Sequence, residues 1–277
     1  MQLYTIETGF FKLDGGAMFG VVPKTLWEKK VPADAHNRCT WAMRCLLIEE
    51  GDQLILIDCG IGDKQDDKFF SHYDLHGEAS LLSSIKQAGF SPSEITDVIL
   101  THLHFDHCGG AVQRQGDQLT LTFPNARYWS NETHWQWAKQ PNPREKASFL
   151  QENILPIEES GHLHFIEQEQ PSPFAHIDFI FVDGHTEQQM LPRIRYKEKY
   201  NLLYCADLIP SAAHIGIPYV MSYDVRPLLT MQEKQKVLQM AYDQGATLFF
   251  EHDENIISAN LKMTEKGIRL NEVTATT

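Results

Sequence analysis

The order of apolar runs predicts an α/β protein: an αββα sandwich of two mixed β-sheets packed face to face with helices outside. Three observations point there. Short apolar runs follow one another in strand–strand–helix order in both halves of the chain. No internal repeat or low-complexity linker interrupts that order. The chain has 277 residues, 42% of them hydrophobic, enough for a substantial core, so residues 1–277 are expected to form one domain. Composition alone does not separate this sandwich from other α/β folds.

Residues 2–8 alternate and read as a strand, and a second strand is expected over 16–22. Residues 23–38 are polar and irregular. A strand over 40–49 turns at Gly51-Asp52 into a partner over 53–58, a hairpin. Leu81, Leu82 and Ile85 give 76–89 helical spacing, and Gly89 stops it. The run 95–100 reads as a buried strand. Residues 119–129 hold one or two strands. Asn131 caps a helix carrying Trp135 and Trp137, Pro141-Asn142-Pro143 breaks it, and another helix is expected over 144–154. Strands follow near 161–166, 177–182, 189–195 and 200–206. Val237, Leu238 and Ala241 share one face of a helix over 230–244, and 247–251 reads as the last strand.

Lys and Arg number 24 against 37 Asp and Glu, a formal charge of −13. Such a surface repels phosphate backbones and no Lys/Arg cluster offsets it, so no nucleic-acid partner is expected. No apolar run approaches the ~18 residues of a membrane span, so no membrane association is expected. The first residues lack the pattern of an export signal. The cysteines, Cys39, Cys45, Cys59, Cys108 and Cys205, are odd in number and form no C-x-x-C. Reduced thiols and a cytoplasmic home are expected.

The informative stretch is Thr101-His102-Leu103-His104-Phe105-Asp106-His107-Cys108-Gly109-Gly110. It follows an apolar strand. His102 and His104 are two apart, so at a strand end they project to the same side. Asp106 and His107 follow within the turn and can aim at a second point nearby. Four N and O donors in six residues suit a zinc-type ion. Burying them without a metal would leave polar groups unsatisfied at several kcal/mol in total. Cys108 reads as packing.

The stretch resembles the signature of the metallo-β-lactamase superfamily. Asp183-Gly184-His185-Thr186 is similar to that family's G-H-T element, Cys205-Ala206-Asp207 to its bridging aspartate, and Glu251-His252 to its final histidine. Leu56-Ile57-Asp58-Cys59-Gly60 is similar to its apolar strand ending in Asp and Gly. The resemblance covers about residues 40–252. It implies a first metal site of His102, His104 and His185, a second of Asp106, His107 and His252, and Asp207 bridging both. Asp58 would orient a ligand histidine, with a turn-capping role as its alternative. The implied cofactors are two divalent ions, zinc first, with iron or manganese also suited to N and O ligands. Such ions, about 3.5–4 Å apart, would lower the pKa of a shared water so that a bridging hydroxide attacks a carbonyl or phosphoryl centre. Asp106 would handle the proton. Asp106 and Asp207 are therefore the expected catalytic carboxylates.

Fold does not settle substrate. Redox members of the superfamily carry Glu at the second motif position, and His104 here favours hydrolysis. The stretch Ala212 to Asp224 resembles the lactonases that open acyl-homoserine lactones and the related organophosphate hydrolases. Those lactonases place Tyr three residues after the bridging Asp, where this chain has Pro210. Tyr223 is the candidate replacement phenol, and His214 a candidate at the mouth. The segments 9–38 and 131–155 are expected to flank that mouth with Phe10, Phe11, Phe19, Trp27, Trp135, Trp137 and Phe149. A small ester, with lactones first, is the expected substrate. The alternatives are a thioesterase of glyoxalase II type, a phosphotriesterase, or a non-catalytic metal-binding regulator. A homodimer is left open.

Overall fold

Gly51 takes φ +58° and, with Asp52, forms the two-residue loop that sets the register Glu50↔Gln53. That register places Leu47 opposite Leu56 and Ile48 opposite Ile55, all buried. In the computed structural model, which describes residues 1–196 and 199–274, this hairpin lies in the first of two units into which the chain divides. Among the described residues, the first comprises Met1–Gly9 and Met43–Pro173, and the second Phe10–Ala42 and the chain from Phe174 to Thr274.

The first unit is built on a six-stranded mixed sheet. Its order is Gln2–Ile6, Cys45–Glu50, Gln53–Ile57, Asp97–Ile99, Arg127–Ser130 and Leu163–Phe165. The first two pairings are antiparallel and the last three parallel. Parallel strands need covering on both faces, and Asp97–Ile99 is wholly buried. The core gathers Leu47, Leu56, Val98, Leu100 and Tyr128 against Ile85 of helix Leu81–Gln87, Trp135 of Glu132–Lys139 and Ile154 of Gln151–Glu159.

The second unit has its own six-stranded mixed sheet: Ile177–Val182, Gln189–Tyr196, Lys199–Tyr204, Thr247–Phe249, Ser258–Thr264 and Gly267–Thr274. Only Lys199–Tyr204 with Thr247–Phe249 is parallel, and helix Pro227–Gln244 makes that crossover. The helix starts on Pro227 at its first position and ends on Gly245 in the left-handed region.

Three expectations shift. The strand placed at 16–22 lies instead at Phe10–Asp14, paired with Arg38–Ala42, and Gly15–Phe19 is a helix. The Asp14 carboxylate accepts from Ala17 N at 2.8 Å, and this cap outweighs the apolar pattern that followed it. The helix expected over 144–154 begins only at Gln151. Glu145 and Lys146 are held in a turn by their N–H bonds to Asn142 O, so Glu145 is buried rather than helical surface. The hairpin Ser258–Thr264 with Gly267–Thr274 had no clear signal, because its strands are half exposed and mix Lys, Asn and Glu with apolar residues.

Candidate metal centre

Strand Asp97–Ile99 is followed by Thr101 and then by helix Phe105–Cys108. His102, His104, Asp106 and His107 therefore emerge together, and all four are buried. Gly109 is required here. A Cβ on it would lie 2.5 Å from Ile61 C.

Asp58 holds two of these histidines. Its Oδ1 accepts from Thr101 N at 2.8 Å and its Oδ2 from Thr101 Oγ1 at 2.7 Å. His107 Nδ1 lies 3.1 Å from Asp58 Oδ2. The threonine hydroxyl hydrogen is committed to Asp58, so the contact of His102 Nδ1 with Thr101 Oγ1, 3.1 Å, is one in which the ring donates. Both rings carry their proton on Nδ1 and present a lone pair at Nε2. Asp58 is itself at φ +59°, a conformation that costs an L-residue on the order of 1–2 kcal/mol.

His104 is turned the other way. Its Nε2 faces Glu145 Oε1 at 3.5 Å, and its Nδ1 lies 3.1 Å from His102 Nε2. Glu145 is fixed by Trp137 Nε1, which donates to Oε2 at 2.8 Å, and by Asn142. A contact of that length is an N–H···N hydrogen bond in one His104 tautomer and two lone pairs turned to one cation in the other. Nitrogens bound at ~2.0–2.1 Å to a tetrahedral ion are about 3.3 Å apart, so the observed spacing fits shared ligation. His134, buried, accepts from Leu103 N at 2.9 Å and fixes the backbone between the two ligands. Asp106 Oδ2 lies 3.9 Å from His107 Nε2. Cys108 Sγ contacts Leu103 O at 3.3 Å, and burial pushes its thiol up to about 12, so it remains a packed thiol.

In the second unit, strands Ile177–Val182, Lys199–Tyr204 and Thr247–Phe249 each precede one predicted ligand. Asp207 sits in the turn Ala206–Leu208, with Ala206 at φ +40°. Its Oδ2 is 3.0 Å from His185 Nε2, and its Oδ1 is 3.0 Å from His252 Nε2. One carboxylate thus addresses two imidazoles with separate oxygens. His185 Nδ1 is 2.9 Å from Asp224 Oδ1, and His252 Nδ1 is 2.7 Å from Ala42 O. Both rings again keep Nε2 for the Asp207 side. Burial disfavours a charged His185, but Asp207 by charge and contact, and then Asp224, outweigh it and raise its pKa. Carboxylates that draw positive charge to a buried imidazole mark a position a dication would fill. The donors in each unit thus fit divalent metal ligation: buried imidazoles, three of them anchored at Nδ1 by Asp58, Asp224 and Ala42 O, and carboxylates.

Two substrate-site expectations need correction. His214 is not at a mouth. It is wholly buried, Nδ1 meets Ser211 Oγ at 2.7 Å, Nε2 meets Met18 O at 2.8 Å, and the ring stacks on Phe19 at 4.6 Å. Both nitrogens are used, and none is left for substrate. Nor do the named aromatics form an open wall: Phe11, Phe19, Trp27, Trp135 and Phe149 are packed in the interior. Phe149 lies 4.8 Å from the His104 ring, and Phe11 5.7 Å from His252, so these two back the ligands. Tyr223 lies in the turn before Asp224 and is 38% exposed.

Burial pushes His214 down to about 3. An unfolded histidine titrates near ~6.5, so below that pH the unfolded chain binds the extra proton. Stability is unaffected by His214 above pH ~6.5 and falls as pH drops from there toward 3, by up to about 4 kcal/mol. Replacing His214 by Gln should flatten the dependence of Tm on pH across that window. An unchanged slope would mean that other groups govern acid unfolding.

The sequence did not single out the aromatic trio beside Asp106. Phe69 and Tyr73 pack on Phe105, with centroids 5.4 and 4.8 Å away, and on each other at 5.1 Å. Phe69 and Tyr73 are partly exposed. Burial, and then the charge of Asp106, push Tyr73 up to about 12, so it stays a hydrogen-bond donor. Spacing of four residues, Phe69 to Tyr73, was the available signal.

The sequence profile of the metallo-β-lactamase superfamily matches residues 44–252. The structure of a probable metal-dependent hydrolase from Staphylococcus aureus is similar over 99% of this chain and 98% of its own, with TM-score 0.86 and 26% identity. AidC, a dizinc quorum-quenching lactonase solved with a product, N-hexnoyl-L-homoserine, is similar in fold over 99% and 95%, with TM-score 0.81 and 23% identity. The N-acyl homoserine lactonase of Bacillus thuringiensis is 21% identical over 265 residues, 91% of this chain and 93% of that protein. A 65-residue stretch is 38% identical to transcription termination factor FttA of Methanocaldococcus jannaschii, of which the chain spans 8%.

Proposed function

Since the chain belongs to the metallo-β-lactamase superfamily and is a metal-dependent hydrolase of that group, we propose that it opens lactones with an apolar acyl substituent, using two zinc ions. His102, His104 and His185 would hold one ion, Asp106, His107 and His252 the other, and Asp207 both. The observation that carries the binuclear reading is Asp207, with one oxygen 3.0 Å from His185 Nε2 and the other 3.0 Å from His252 Nε2.

When bound, two such ions supply Lewis acidity to water and to the carbonyl oxygen. The chain supplies the rest. Asp58, Asp224 and Ala42 O keep ring protons on Nδ1, so the ligand nitrogens cannot swing away. Asp106, in the first turn of its helix, takes the proton of the attacking water. Phe69, Tyr73 and Phe105 offer an apolar flank that suits an acyl chain and excludes water. The charge of −13 supports a neutral substrate over a polyanion.

The test compares kcat/KM for acyl-homoserine lactones of increasing chain length, S-lactoylglutathione and a phosphotriester. The lactones should lead, with kcat/KM rising with chain length, and the phosphotriester should turn over slowly. Preference for the glutathione thioester by more than about tenfold, ~1.4 kcal/mol of transition-state binding, would replace this reading with a glyoxalase-type thioesterase.

A further inference from the structure

Five polar backbone groups of Asp183, Gly184 and His185 are held by the segment that runs from Val225 to Glu233. Asp183 N and Gly184 N donate to the two carboxylate oxygens of Glu233, at 2.8 and 2.9 Å. The carbonyls are held as well. Gly184 O accepts from Arg226 N at 2.8 Å, His185 O from Val225 N at 3.1 Å, and Asp183 O from the Arg226 guanidinium at 2.6 Å. The loop is pressed onto the helix that bears Glu233, since a Cβ on Gly184 would lie 2.5 Å from Thr230 Cα and N. Asp224, just upstream of that helix, grips the ring itself. The next residue, Lys234, turned ~100° around the helix, holds a different segment through the carbonyls of His214, Gly216 and Tyr219.

We propose that Glu233 is a positioning residue for the metal ligand His185, fixing the Asp183-Gly184 backbone so that Nε2 is presented to the ion. The inference rests on the metal-site reading above. Glu233 reaches the ion only through the loop. It supplies two charge-assisted acceptors to adjacent N–H groups, which a water molecule or an amide cannot do with one rigid plane. A Gln would present an NH2 group to one of those N–H groups, donor against donor. An Asp keeps both charged oxygens but is shorter by one methylene, so its carboxylate is drawn back from the two N–H groups.

The experiment titrates zinc into metal-free protein against a chromophoric chelator and measures Tm of the metal-free forms. Glu233→Gln should weaken one of the two zinc sites at least tenfold and leave the other unchanged, and Glu233→Asp should fall between. Val237→Ala, which loosens the same helix through its buried side, should lower Tm while binding zinc like wild type. The proposal is overturned if the Glu233→Gln and wild-type zinc curves superimpose, or if Val237→Ala weakens zinc as much as Glu233→Gln does. If Glu233→Gln does not fold, the Glu233→Asp curve decides by the same criterion. A wild-type protein that takes up no zinc overturns the metal-site reading and this inference with it, whereas wild-type uptake with unaffected Glu233 variants overturns this inference alone.

Discussion

Asp207→Asn is expected to lower kcat by about a thousandfold or more, ~4 kcal/mol of transition-state stabilisation, while the chain still folds. Both carboxylate oxygens are engaged, Oδ2 towards His185 and Oδ1 towards His252, each at 3.0 Å. A carboxylate offers each side a charged oxygen. An amide offers one neutral oxygen and, on the other side, an NH2 group that donates where a ligand is needed. Two dications held near one another also need the negative charge that the substitution removes. Folding should survive because Asn is isosteric, and the neighbouring rings remain anchored at Nδ1 by Asp224 and Ala42 O. The measurement is kcat with zinc in excess, alongside metal content. A variant within tenfold of wild type and still holding two ions would show that Asp207 does not bridge.

How much of this could be read from sequence depended on how local each relationship is. His102, His104, Asp106 and His107 fall within six residues behind a buried strand, and the strand-end geometry that groups them is a property of the backbone alone. His185, Asp207 and His252 each follow a short apolar strand, and the family resemblance supplied their order. Their partners were not legible. Asp224 is 39 residues from His185, and the carbonyl that holds His252 belongs to Ala42, 210 residues away. A backbone carbonyl leaves no mark in a sequence, because every residue has one. His214 was misplaced for a related reason. Nearness to Asp207 along the chain suggested the mouth, but Ser211 and Met18 satisfy both of its nitrogens in the interior. Bulky aromatics such as Trp27 and Phe19 signal burial whether or not a pocket is near, so they could not distinguish a wall from a core. The fold class was the most legible feature, since alternation of strands and helices survives errors such as the Gly15–Phe19 helix.

Removal of the metals is expected to abolish turnover and to lower Tm together, and zinc should restore both with saturation at two ions per chain. The buried donors are arranged for cations. His102 Nε2 and His104 Nδ1 face each other at 3.1 Å, and Asp58, Asp207 and Asp224 place carboxylates among imidazoles with little or no exposure. Without ions the chain must protonate or splay these groups, and either response costs native-state stability. An ion at a thousand times its Kd stabilises the folded state by about 4 kcal/mol. For a chain of this size each kcal/mol moves Tm by roughly 2–4 °C. Emptying even one site should therefore lower Tm by about 10 °C, well outside measurement error. The check is scanning calorimetry and an ester assay on protein dialysed against a chelator, then on aliquots titrated with zinc. Restoration complete at one ion per chain would remove the second site from the reading. Undiminished turnover at less than about a tenth of an ion per chain would remove metal dependence altogether. If both sites fill, the rise in Tm and the return of activity should follow the same titration curve, because the ions that turnover requires also add their binding free energy to the folded state.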